Sequence, residues 1–96
     1  MSLRVTLICS VLPGQFVSLK PFLAENLPNV RSFDGCMGVA VYFNEETNDL
    51  LLEEEWLSQA QHGTYLKAIT DNGIMGKLVS FLVGPPDVRY FSKTMI

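Results

Sequence analysis

The sequence predicts an α+β protein of the ferredoxin-like class, an antiparallel sheet with helices on one face in the order β-α-β-β-α-β. Three observations carry this. Four segments alternate apolar and polar residues with the period of a strand, two intervening stretches repeat apolar residues with the period of a helix, and the second and third strands lie at hairpin distance.

From Leu3 to Leu12 the odd positions Leu3, Val5, Leu7, Cys9 and Val11 are apolar, while Arg4, Thr6 and Ser10 share the other face. Pro13-Gly14 ends this strand as a turn. Phe16, Leu19, Leu23 and Leu27 then recur at helical spacing, with Phe22 beside them. Pro21 is awkward there, since an interior proline lacks the N–H donor and clashes one turn back. Either Ser18 caps a helix that starts late, with Pro21 in its first turn, or the helix is kinked; the late start is the expectation, and Pro28 weakens the far end. Gly38 to Asn44 reads as the second strand, Glu45 to Asp49 as a polar turn, and Leu50 to Trp56 as the third strand. Ser58 opens the second helix with Gln61 three residues on, the spacing of a capping box. This helix runs to about Ile69 and is interrupted by Gly63; after Asp71-Asn72-Gly73 an apolar helical face continues from Ile74 to Leu82. Gly84-Pro85-Pro86 stops it, and Asp87 to Met95 is the fourth strand.

Side chains two apart in a strand share a face, so Leu50, Leu52, Glu54 and Trp56 point together. A carboxylate thus stands between a leucine and the only tryptophan, on the side that helices must cover. The back of the sheet is too apolar to stand bare, because Val39, Val41 and Phe43 alternate with Ala40 and Tyr42. A second copy of the chain is the economical cover, and a homodimer is expected.

Ninety-six residues, 48% apolar and 18% charged, suit one globular domain over residues 1–96. A net charge of −3 with seven Lys and Arg offers no phosphate-neutralising stripe, so nucleic-acid binding is not expected. Two distant cysteines, Cys9 and Cys36, and one histidine argue against a disulfide framework or a closed zinc site. Free thiols in a reducing cytoplasm are expected. No run approaches the roughly 20 apolar residues of a membrane span, and the N-terminus does not read as a signal peptide.

Pro13-Gly14 after the first strand, Gly35-Cys36-Met37-Gly38 entering the second, and Glu54-x-Trp56-x-Ser58 leading into the second helix together resemble the antibiotic biosynthesis monooxygenase family. The resemblance covers nearly the whole chain in order and spacing. It implies a dimeric α+β barrel packed through its sheets, with a cavity in each subunit between sheet and helices. Family members include cofactor-free oxygenases of anthrones and quinols, haem-degrading enzymes and an isomerase. The anthrone oxygenases carry an Asn four residues before the Trp, where this chain has Leu52. The Asn, Trp and His of the haem-degrading members fall at Leu7, Tyr65 and Met75 or Gly76, so haem degradation is disfavoured. No cofactor is expected.

His62 and Glu54 are the candidate proton-transfer groups. His62 is the one side chain that titrates near neutrality unperturbed; the alternative is a solvated helix histidine. Burial of Glu54 would raise its pKa and suit it to acid–base work, or it is a carboxylate held in a structural hydrogen bond. Trp56 could stack on a planar ligand or serve as core. Tyr65 and Tyr42 could orient a substrate oxygen, and Leu52 would line the same cavity. Two functions are open: cofactor-independent oxygenation of a small aromatic or quinol-type substrate, and a non-catalytic dimeric module for ligand binding or assembly. The cavity discriminates, since a few hundred Å³ with two or three convergent polar groups favours an enzyme or binder and a closed core favours assembly.

Overall fold

A computed structural model describes residues 2–96. The elements are β1 (Leu3–Ser10), α1 (Phe16–Arg31), β2 (Cys36–Asn44), β3 (Asp49–Trp56), α2 (Gln59–Asp71), α3 (Ile74–Val79) and β4 (Asp87–Ser92). All neighbouring strands are antiparallel, in the order β2-β3-β1-β4. This is the expected ferredoxin-like arrangement, with the second helical region split into α2 and α3. The sheet is open, so one chain does not by itself close a barrel.

Alternation sets the register. Val5 pairs with Glu54 and Tyr90, and Leu7 with Leu52 and Val88, so these residues share the helix-covered face. Val5, Leu7, Cys9, Leu50, Leu52 and Trp56 are buried there against Leu19, Leu23, Val30, Tyr65 and Leu78. The other face carries Arg4, Thr6, Ile8, Tyr42, Leu51, Glu53 and Phe91. Tyr42 and Phe91 are each about half exposed, at 53% and 50%, while Arg4 and Glu53 form an ion pair of 2.7 Å across the strands.

The first helix departs from expectation. It begins at Phe16, its cap residue Gln15 makes no side-chain cap bond, and both Pro21 and Pro28 lie inside it. Each proline removes the donor for a carbonyl four residues earlier, at Val17 and Ala24. All four residues are exposed, so the freed carbonyls belong to the solvent side, where water can satisfy them. The buried side supplies the apolar contacts of Leu19, Leu23 and Val30. Two exposed prolines on one side are therefore tolerated without a late start.

The second helix starts as expected. The Gln61 N–H donates to Ser58 Oγ at 3.2 Å, and the Ser58 hydroxyl donates to Gln61 Oε1 at 3.0 Å. Gly63 does not interrupt this helix. The following apolar run is shorter than expected as a helix. α3 ends at Val79, and Leu82 forms an isolated bridge to Val11, with the Val83 N–H donating to Ser10 O at 2.8 Å. Phe81 and Leu82 are thus buried by prolonging the end of β1 rather than by continuing a helix. β4 stops at Ser92, three residues earlier than expected.

Gly35 joins α1 to the sheet at φ +94°, a conformation side chains resist. A Cβ there would lie 2.8 Å from the Cβ of Gln61 and 2.7 Å from its Cδ. The glycine lets the turn approach the start of α2, and its carbonyl accepts from the Leu57 N–H at 2.8 Å. Gly35→Ala should destabilise the fold by about 1–3 kcal/mol, read as a lowered urea midpoint with an unchanged slope.

Candidate functional site

Where β3 passes into α2, Trp56, Glu54, His62 and Tyr90 form a polar string, buried but for the half-buried Tyr90, with Tyr65 packed beside it. Glu54 and Trp56 are neighbours on the covered face of β3; His62 and Tyr65 are neighbours on the inner face of α2; Tyr90 comes from β4, two strands away. The Trp56 indole N–H donates to Glu54 Oε1 at 2.8 Å. His62 Nε2 stands 3.7 Å from the same oxygen, and His62 Nδ1 lies 2.8 Å from the Tyr90 hydroxyl. Trp56 and His62 meet edge to face at 5.1 Å between ring centroids, and Tyr65 packs against Trp56 at 5.4 Å and Phe33 at 5.2 Å.

Glu54 is 3% exposed and His62 is 0% exposed. Desolvation raises the Glu54 pKa above the ordinary 4.5, opposed by the bond from Trp56. Burial lowers that of His62 from 6.5 to about 4. At neutral pH the imidazole is therefore uncharged, and the 3.7 Å approach is not an ion pair. Among the described residues no Lys or Arg forms an ion pair with Glu54. A buried carboxyl without a cation is costly when ionised, which is why its proton is held more tightly. Burial and the nearby Glu54 charge also keep the hydroxyls of Tyr65 and Tyr90 protonated.

A cavity of about 40 Å³ lies between sheet and helices, lined by Leu7, Leu52, Phe22, Leu27 and Met75 among others, with Glu54, Tyr65 and Asn26 as its polar members. Two or three convergent polar groups are present, as an enzyme or binder requires. The volume is far below the roughly 300 Å³ at which ligand pockets begin.

The sequence-derived candidates separate against this geometry. Glu54, Tyr65 and Leu52 border the cavity. Trp56 does not; it is fully buried behind Glu54, so it holds the carboxyl rather than offering a stacking surface. His62 is neither the solvated histidine nor a base at the cavity, since it sits fully buried beyond Glu54. Tyr42 stands on the opposite face of the sheet, paired with Leu51, because its strand position is one residue out of phase with Val41. Sequence reasoning missed Tyr90 and Asn26. Alternation from Val88 places Tyr90 on the covered face, but its meeting with His62 depends on the strand order.

Cys9 is buried in the core, with its thiol pushed up to about 11 by desolvation. Cys36 is half-buried, and burial likewise raises its pKa. Neither thiol is activated. Among the described residues no helix is long and apolar enough to cross a membrane.

His62 has a definite effect on acid stability. Its folded pKa lies below the unfolded value, so its contribution is fully present above pH 6.5 and is lost as pH falls toward 4. Glu54 acts in the opposite sense, its contribution fading as pH rises above 4.5. In a Glu54→Gln background only the histidine slope remains. There, adding His62→Gln should flatten the fall in stability across that window by on the order of 2–3 kcal/mol, measured by urea unfolding at a series of pH values.

No protein-family model matches the sequence, and no curated protein matches it. Solved structures do match its shape. A conserved protein of Methanosarcina mazei superposes with a TM-score of 0.85 at 18% identity, covering 98% of this chain and 94% of that one. A candidate antibiotic biosynthesis monooxygenase of Bordetella bronchiseptica gives 0.83 at 23% identity, covering 98% of each chain. A monooxygenase of Streptomyces coelicolor, determined in complex with nanaomycin D, gives 0.80 at 14% identity, covering 99% of this chain and 89% of that one. The chain thus has the fold of structures named antibiotic biosynthesis monooxygenases.

Proposed function

We propose that this chain is a cofactor-independent monooxygenase acting on a small aromatic or quinol-type substrate, with Glu54 as its base. The observation carrying this is the Glu54 carboxyl, desolvated and without a cation, at the edge of an otherwise mostly apolar cavity. Such a group takes a proton more readily than a solvated carboxylate, and an apolar surround excludes water from the product anion. For a substrate with an activated CH₂, Glu54 removes one proton and leaves a carbanion. Dioxygen oxidises that carbon, a C–O bond forms, and the peroxide takes the proton held by Glu54; loss of the second C–H proton then breaks the O–O bond, and the hydroxide released takes that proton. One oxygen is kept as the ketone and the other leaves as water, so CH₂ and O₂ become C=O and H₂O. Tyr65 at the same cavity would orient the substrate oxygen. Trp56 and His62 act from behind, on Glu54.

A substrate ring needs more space than about 40 Å³, so binding must displace part of the wall. Met75 and Leu27 are the adaptable members, methionine having the softer side chain. Oxygen uptake on a panel of hydroquinones and anthrones tests the proposal. Turnover is expected, falling at least about 100-fold in Glu54→Gln, within the range general bases contribute, and only partly in His62→Gln. Uptake equal in the wild type and Glu54→Gln would contradict it.

Within the second reading, a non-catalytic dimeric binding or assembly module, the smallness of the cavity favours assembly. Both readings share a homodimer built on the back of the sheet, supported by the exposed Ile8, Tyr42 and Phe91 there. Sedimentation of the dilute protein should give a dimer, and Tyr42→Glu should shift it to monomer. A wild-type monomer would overturn the pairing.

A further inference from the structure

The Glu54 site ends at Tyr90, a residue with no place yet in its chemistry. His62 Nε2 is fully buried and has no hydrogen-bond partner. Its polar neighbour is Glu54 Oε1, at 3.7 Å. That oxygen already accepts the Trp56 N–H, so it presents lone pairs whether Glu54 is ionised or protonated. In the protonated form, the oxygen accepting from Trp56 is the carbonyl-like one, and the proton resides on Oε2. A bare lone pair on Nε2 would face these lone pairs and be repelled. A proton on Nε2 would be attracted. Since burial keeps the imidazole neutral, its single proton then belongs on Nε2, and Nδ1 is left as an acceptor.

Nδ1 lies 2.8 Å from the Tyr90 hydroxyl, close to the usual O–H to N distance. The geometry points to Tyr90 as a positioning residue: its O–H donates to Nδ1, fixes His62 as the Nε2–H tautomer, and thereby keeps the imidazole N–H facing Glu54 Oε1, beside the indole N–H that donates there. The consequence is an asymmetric carboxyl. Oε1 is held by the Trp56 bond with the His62 Nε2–H facing it at longer range, and Oε2, which has no hydrogen-bond partner among the described residues, is the oxygen that exchanges a proton with a ligand in the cavity. That consequence rests on Glu54 working there, whereas the tautomer and its dependence on Tyr90 do not require any turnover.

The test is NMR of the wild-type protein and Tyr90→Phe at neutral pH, observing both imidazole nitrogens of His62 and the Trp56 indole N–H. The wild type should show a protonated Nε2 and an unprotonated, hydrogen-bonded Nδ1. Tyr90→Phe should shift the Nδ1 signal and move the indole N–H signal that reads the Glu54 Oε1 bond. A wild-type proton on Nδ1 would overturn the proposal, and it decides the matter alone if the variant fails to fold. An indole signal unmoved by Tyr90→Phe would also overturn it, leaving Tyr90 as packing only. A wild type that shows the Nε2–H tautomer but no oxygen uptake on the substrate panel would count against the oxygenase reading and leave this one standing.

Discussion

The bond from the Trp56 indole to Glu54 Oε1 makes the rest of the site possible. A carboxyl buried this deeply would ordinarily be neutralised by a cation or excluded altogether. Here it has one indole donor and an uncharged imidazole at longer range. That is enough to keep it in place and too little to keep it strongly acidic. Alternation along β3 puts the donor two residues from the acceptor, so the interaction is local and forms as soon as the strand is extended. Tyr65, Phe33 and His62 then pack around the indole, tying α2 and the turn after α1 to the end of that strand.

Much of this was legible in the sequence because it follows from short periodicities. The face shared by Leu52, Glu54 and Trp56, the Ser58 cap and the strand–helix order all depend on residues within a few positions of one another. What was not legible depended on distance or exposure. Whether Pro21 breaks a helix turns on which side of that helix meets water, and both prolines and the carbonyls they orphan fall on the exposed side. Leu82 continues a helical pattern in sequence, yet its bridge to Val11 buries it, with the flanking Phe81 C=O and Val83 N–H bonded to Leu12 and Ser10. His62 looked unpartnered because Tyr90 lies 28 residues away on an outer strand. Tyr42 differs again: its place opposite the helices follows from the alternation with Val41 and Phe43, and its candidacy for the cavity set that alternation aside.

The two faces of the sheet have unequal finish. The covered face is filled almost to closure around Glu54, leaving about 40 Å³ there, and a more open groove of about 310 Å³ runs between α1 and Val41 and Phe43 of β2. The other retains half-exposed aromatic side chains among paired charges such as Arg4 and Glu53. A cavity this tight suits a protein that admits ligand only as its wall moves, and the helical part of that wall comes from three separate elements, α1, α2 and α3. Fold alone does not select a chemistry, and the low identity to the proteins of like shape leaves Glu54 to be judged by its own surroundings.

Those surroundings make one claim above the others, that Glu54 holds its proton beyond the range of ordinary carboxylates. Infrared difference spectra between the wild type and Glu54→Gln across a pH series observe it directly. A protonated-carboxyl band absent from the variant should persist above pH 4.5. Loss of that band at or below pH 4.5 would contradict the account.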